Sequence, residues 1–299
     1  MEYKWRVKKS ERGISLENFI YKQLSEWSHS QVKKAIDKKR AFINGKNVFV
    51  SKWNLKPNDL VVFSPGSGDL PSFTKERYRF VEVLFEDSYL IAVSKPPFID
   101  FEEFTSVVQD YLRRRNKIKS YPYLGQMHRL DKETSGVMIF TKKKIANTLA
   151  DQFRDHTIQK CYLALVDGLV EDESATIRKT LEKGEFDDGK KVRIAPKQSE
   201  GMTAVTSYQL MERHRATSLL RVEILTGRTH QIRVHLSDLG YPVVGDKIYG
   251  KQDGVGFKRQ VLHAERLLLR HPVTRQKLKI LAPIPEDIQQ LIDHLRESV

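Results

Sequence analysis

The 299-residue chain has one cysteine, Cys161, so it can form neither an internal disulfide nor a paired-cysteine zinc site. That economy fits a reducing compartment. No apolar run approaches the length of a membrane span. The opening MEYKWRVKKS is charged and lacks the apolar core of a secretory signal. Neither a glycine-rich dinucleotide fingerprint nor a phosphate-binding P-loop occurs. Acids are in short supply, with 38 Asp and Glu against 52 Lys and Arg and a net charge of +14. These absences lead us to expect a cytoplasmic protein off the membrane, and we expect a monomer. The basic surplus favours a polyanionic partner, nucleic acid ahead of a solubility effect.

Hydrophobic residues make up 39% and charged residues 30%, as in a globular chain long enough for two unequal domains. The stretch SPGSGDLPS from Ser64 to Ser72 has linker composition. We therefore expect a small domain over residues 1–65, a linker over 66–75 and a large domain over 76–299. In the small domain, Leu16, Phe19, Ile20 and Leu24 are spaced as on a helix, with Ser15 as its cap. A second helix should begin near Ser28 or Ser30 and turn Val32 and Ile36 inward. Its other faces and its end carry Lys33, Lys34, Lys38, Lys39 and Arg40. AFINGKNVFV reads as a hairpin turned at Asn44-Gly45. Residues 1–63 hold fourteen bases and six acids, more than half of the chain's surplus.

The segment from Ile14 to Phe63 resembles the S4 RNA-binding domain. The likeness rests on Ser30 with Lys33 and Lys34, on the hairpin Ile43 to Lys46, and on the turn Leu55 to Asp59. It implies that Ser30, Lys33, Lys34, Lys38, Lys39 and Arg40 form an RNA-binding face. Such a face gives affinity and position rather than sequence reading.

In the large domain RFVEVLF, LIAVS, CYLALVDGLV, TAVTSYQLMER and SLLRVEIL read as strands. KKIANTLADQFRDH reads as a helix with Ile145, Leu149 and Phe153 in its seam, and Asp287 to Arg296 as another. The class is α+β, built on a mixed or antiparallel sheet.

Three stretches carry chemistry. HRLDKETSG (His128 to Gly136) is a charged loop entering the strand VMIFT, where functional groups collect. By itself it reads slightly more readily as a solvated turn around Asp131. TGRTHQIRVHLSDLGYPVVGDKIYG (Thr226 to Gly250) places a helix after a cap at Thr229, with Ile232, Leu236 and Leu239 in its seam and Gly240 ending it. Arg233 lies beside that seam, half-buried, where a guanidinium seeks a carboxylate. His230 and His235, five apart, point about 140° away from each other on a helix, and we expect no metal. KCYLALVDG puts Tyr162 on a strand, where a lone tyrosine is commonly core.

Together these stretches resemble the RluA family of pseudouridine synthases. HRLDKETSG, KCYLALVDG and the long stretch from Thr226 match its motifs in order, and LHAERL, HPVT and LAPIP match its C-terminal pattern. One departure is KPPFIDFEEF, where Phe98 replaces a glycine and a His-Pro pair is missing. The resemblance implies isomerisation of uridine in RNA, most readily 23S-type ribosomal RNA or its precursor, with tRNA as the alternative. It implies no cofactor, since the reaction has no redox step and no second substrate, and the missing dinucleotide and P-loop motifs agree. It implies that Asp131 is the catalytic carboxylate, as nucleophile at C1′ or as base on the ribose. Arg233 would keep that carboxylate ionised. Tyr162 would stack on the base, and Arg129 would fill the gap left by a flipped nucleotide. The competing readings are a catalytically silent RNA-binding protein and a metal-dependent nuclease or nucleoside hydrolase.

Overall fold

The computed structural model describes residues 2–24, 27, 29–48, 50–64, 81–143, 146–184, 192–196, 201–251 and 256–297. They divide into two compact units, one within residues 1–80 and 102–119, the other within 81–101 and 120–299. The linker expected at 66–75 lies outside the described residues.

The first unit contains β1 (Tyr3–Arg6), α1 (Leu16–Gln23), α2 (His29–Asp37), β2 (Ala41–Ile43), β3 (Lys46–Val48) and β4 (Leu60–Phe63). Ser15 caps α1 as its sequence implies, its hydroxyl accepting from the Asn18 N–H. Asn44 and Gly45 sit at φ 50° and 79°, the paired left-handed conformation of a tight hairpin turn. The strands form an antiparallel sheet in the order β1-β4-β2-β3. Leu16, Phe19 and Ile20 of α1 and Val32, Ala35 and Ile36 of α2 share one core with Val61 and Phe63. Fully burying an aliphatic or aromatic side chain is worth about 1.5–3 kcal/mol, so this cluster is the unit's main source of stability.

Residues 102–119 group with this unit. They contain most of α3 (Phe101–Arg115), which buries Phe104, Val107, Val108 and Leu112 on one face. KPPFIDFEEF is therefore helical from Phe101 onward, with a turn at Phe98 before it.

The second unit is built on β5 (Glu82–Glu86), β6 (Leu90–Lys95), β7 (Gly125–Gln126), β8 (Ser135–Thr141), β9 (Gln159–Asp167), β10 (Ser174–Lys183), β11 (Val192–Ile194), β12 (Met202–Arg213), β13 (Thr217–Ile224), β14 (Leu262–Arg270) and β15 (Lys277–Leu281). Its helices are α4 (Ala146–Arg154), α5 (Gln231–Asp238) and α6 (Glu286–Glu297). The strands make one sheet in the order β11-β10-β12-β13-β9-β14-β8-β6-β5, with β15 beside β14 and β7 beside β8. Every pairing is antiparallel except β14 with β8, so the α+β mixed-sheet class holds.

At that one parallel pairing the two strands come unusually close. Gly136, the last residue of HRLDKETSG, sits at φ +120°, and a Cβ there would stand 2.2 Å from the Ala264 carbonyl oxygen. Only glycine lets β8 approach β14 so closely. Of the expected α4 seam, Leu149 is buried and Phe153 half-buried, while Ile145 lies outside the described residues. Ile288 and Ile292 anchor α6.

Candidate active site

Beside the β14–β8 junction the second unit encloses a cavity of about 430 Å³, within the range of small-ligand sites. HRLDKETSG forms one wall through His128, Arg129, Leu130, Asp131 and Thr134. β9 contributes Lys160 and Tyr162, two residues apart and so on one strand face. The turn from β13 into α5 contributes Gly227 to Arg233. Arg129 and Asp131 of one loop thus meet Tyr162 and Arg233, which lie far from them in sequence.

The cavity centres on Arg233, which is buried at 5% exposure. Its Nη1 donates to Asp131 Oδ2 at 2.9 Å. Its Nε and Nη2 fork onto both carboxylate oxygens of Asp246 at 2.6 and 2.8 Å. Asp246 Oδ1 also accepts from the N–H groups of Ile248 and Tyr249. Burial works to raise the Asp246 carboxyl, but the Arg233 hydrogen bonds and charge hold it below the ordinary carboxylate range. Burial opposes the Arg233 charge too, and is overcome by Asp246 first and then by Asp131. Asp246 is a site residue that sequence reading missed. The available signal was the unmet need of a buried guanidinium, whose five donors one carboxylate cannot satisfy.

Thr229 does not cap α5. His230 is the N-cap, in the left-handed conformation at φ 53° and without a side-chain capping bond. Gln231 does the anchoring instead. Its carbonyl oxygen accepts from Thr226 Oγ1 and the Arg228 N–H, and its amide donates to Val205 O and Thr206 Oγ1. His230 consequently faces the cavity with Nε2 at 3.8 Å from Asp131 Oδ2. The Tyr249 hydroxyl donates to Val192 O, so its oxygen accepts from the His230 Nδ1–H at 2.9 Å. Among the described residues no cluster of three or more His, Cys, Asp or Glu is placed to hold a metal.

The loop bearing Asp131 is held by buried cations. Lys95, fully buried, donates to the carbonyls of Pro96, Lys132 and Thr134. Arg259, also fully buried, reaches the Glu133 carbonyl and forks onto Asp287 of α6. The three carbonyls that follow Asp131, those of Lys132, Glu133 and Thr134, all accept hydrogen bonds in this way. His128 accepts from the Ile139 N–H at 3.1 Å and stacks on Phe153, so it braces the loop. Tyr162 is 8% exposed. Burial, and then the Asp131 charge, push its phenol upward, so it is neutral.

In the first unit Lys33 and Lys34 lie exposed on α2, and Lys38, Lys39 and Arg40 are exposed in the turn that follows. Ser30 falls in the first turn of α2, and its side chain, like all of Ser28, lies outside the described part of the structure.

The chain matches the family described as RNA pseudouridylate synthase over residues 89–238. It is 37% identical to the ribosomal large subunit pseudouridine synthase D of Xylella fastidiosa over 73% of this chain and 70% of that one. It is 29% identical to the ribosomal large subunit pseudouridine synthase C of Pasteurella multocida, over 98% of this chain and 93% of that one. Among solved structures it is similar to human RNA pseudouridylate synthase domain containing 4. The TM-score is 0.62 at 24% identity, over 74% of this chain and 95% of that one, a likeness of fold.

Proposed function

The chain belongs to the RNA pseudouridylate synthase family, and on that premise we propose that it isomerises uridine in large-subunit ribosomal RNA with Asp131 as its carboxylate. One observation carries the assignment: Asp131 shares a cavity with Tyr162 and is bonded to a buried Arg233 at 2.9 Å.

The reaction breaks N1–C1′ and joins C5 to C1′. The C5 proton leaves and N1 gains one, so no electrons and no second substrate are consumed. Asp131 acts on the ribose as the glycosidic bond breaks. Arg233 pairs with that carboxylate and fixes its direction. Tyr162 stacks on the uracil, and its neutral phenol is available to assist loss of the C5 proton. Arg129, exposed at the rim two residues before Asp131, fills the space that the flipped nucleotide leaves. Such a filler offsets an unstacking cost of a few kcal/mol.

The ribosomal assignment draws support from two relatives named as ribosomal large subunit pseudouridine synthases. In the first unit the basic face of α2, Lys33 and Lys34 with Lys38, Lys39 and Arg40, acts as an S4-like contact for RNA phosphates. Carbodiimide-block sequencing of ribosomal RNA with and without the gene tests the reading. At least one large-subunit pseudouridine should disappear on deletion. Retention of every one would overturn the ribosomal assignment.

A further inference from the structure

Lys160 is only 6% exposed. Its ammonium donates to the carbonyls of Leu225 at 3.1 Å and Thr226 at 3.3 Å. Both belong to the turn out of β13, and a Cβ on Gly227 would stand 3.9 Å from Lys160 Nζ. The ammonium therefore lies directly on this turn, and Arg228 is the next residue along it. Both cations line the cavity. Arg228 Nε has a long bond to the Thr203 carbonyl, at 3.4 Å. Among the described residues neither cation has an ion-pair partner. The acid lining this cavity, Asp131, is already bonded to Arg233.

Two like charges on one wall, one of them buried, make an unstable arrangement unless an anion arrives with the ligand. Lys160 registers the strain. Burial, and then the charge of Arg228, bring its ammonium down to about 8. The other cations of the cavity are differently placed. Arg233 is satisfied by two carboxylates, Arg154 pairs with Asp151 and Asp155, and Arg129 is exposed to solvent. The wall beside Tyr162 is thus where negative charge is wanted.

We propose that Lys160 and Arg228 form the seat of a single phosphodiester of the substrate RNA, next to the uridine that enters the cavity. This deepens the assignment above and rests on it. A surface lysine contributes affinity wherever the backbone passes. A buried ammonium fixes one phosphate in depth, and with it the distance from that nucleotide's ribose to Asp131.

The test is the affinity of the full-length protein for a short single-stranded oligouridylate, measured across a range of salt. Lys160→Met and Arg228→Gln should each weaken binding roughly tenfold or more, the size of a lost charge-assisted hydrogen bond. The double variant should lower the slope of log affinity against log salt by about 0.7, one phosphate's worth on a single strand. Neither single variant should lower it further. Arg228 is half-exposed, so Arg228→Gln keeps the test alive should Lys160→Met fold poorly. Unchanged affinity and slope in Arg228→Gln and the double variant would overturn the proposal, and a loss near 1.4 would mean two separate phosphates rather than one seat. Millimolar inorganic phosphate should raise the melting temperature of the wild type more than that of the double variant, since the seat is built for a phosphate group. That difference together with unchanged oligouridylate affinity in the double variant would make this a free-phosphate site and sink the RNA assignment. Because the probe is not ribosomal RNA, failure of the ribosomal reading would leave these results standing.

Discussion

Arg233 stands between two carboxylates, forked onto Asp246 by Nε and Nη2 and reaching Asp131 with Nη1 at 2.9 Å. The fork is the strong part of the arrangement, because paired parallel bonds fix the guanidinium plane as well as its charge. Asp131 is thereby oriented by a group that is itself immobilised.

Asp246→Ala should therefore damage both stability and rate. It leaves a buried guanidinium with half its partners, a change costing about 3–5 kcal/mol for a buried pair broken on one side. The melting temperature should fall, and the turnover measured well below it should drop at least about tenfold, the effect of misplacing a catalytic group. Arg233→Lys should not rescue, since an ammonium cannot make the fork. An Asp246→Ala enzyme with wild-type turnover would show that Asp131 needs no such support.

Arg259 gives a second stability prediction. It is fully buried and joins Asp287 of α6 to the Glu133 carbonyl in the loop behind Asp131. Asp287→Ala strands that cation and should destabilise the enzyme more than replacing both members, as in the Arg259→Met, Asp287→Leu pair. Chemical denaturation of the two variants decides it. Equal losses would mean that the pair is energetically idle.

Stability should also fall in mild acid. Burial holds His128, His235 and His263 at about 4, against an ordinary value near 6.5. The unfolded chain binds protons between these values that the native state refuses. Stability is thus complete above about pH 6.5 and is lost as the pH falls towards 4. Calorimetry from pH 7 to 4 should show a declining melting temperature. His128→Gln, which keeps an acceptor for the Ile139 N–H, should remove about a third of the decline. A flat profile would contradict the burial argument.

The basic face of α2 has its own consequence. Lys33→Gln combined with Lys34→Gln should raise KM for ribosomal RNA several-fold and lessen its dependence on salt. A KM unchanged at physiological salt would remove RNA contact from this helix.

Much of this was legible beforehand. The strands β9, β12 and β13 show as apolar or β-branched runs, and the hairpin at Asn44-Gly45 shows through its turn chemistry. Ile232 and Leu236 bury as the spacing of α5 requires. Other features depended on contacts that no local pattern carries. Leu239 falls at the end of α5 and is 37% exposed, because the helix stops a residue short of the seam's next turn. Thr229 has a capping residue's chemistry, yet Gln231 bridges the turn to β12 and leaves His230 at the helix start. Asp246 lies in a loop thirteen residues past Arg233, where nothing in the sequence marks it as a partner. Lys95 and Arg259 are buried against the ordinary habit of their kind, as carbonyl donors to a loop that folding brings to them.

The central claim concerns Asp131, and the direct measurement is tritium released to water from RNA labelled at uridine C5, since C5 must lose its proton as the new bond forms. With a ribosomal RNA substrate the wild-type protein should release tritium and Asp131→Asn should not. The rate should fall by at least roughly a thousandfold, the order seen when a reacting group is removed, while RNA affinity stays within about threefold because the substitution is isosteric and makes no phosphate contact. Release by Asp131→Asn at the wild-type rate would contradict the account.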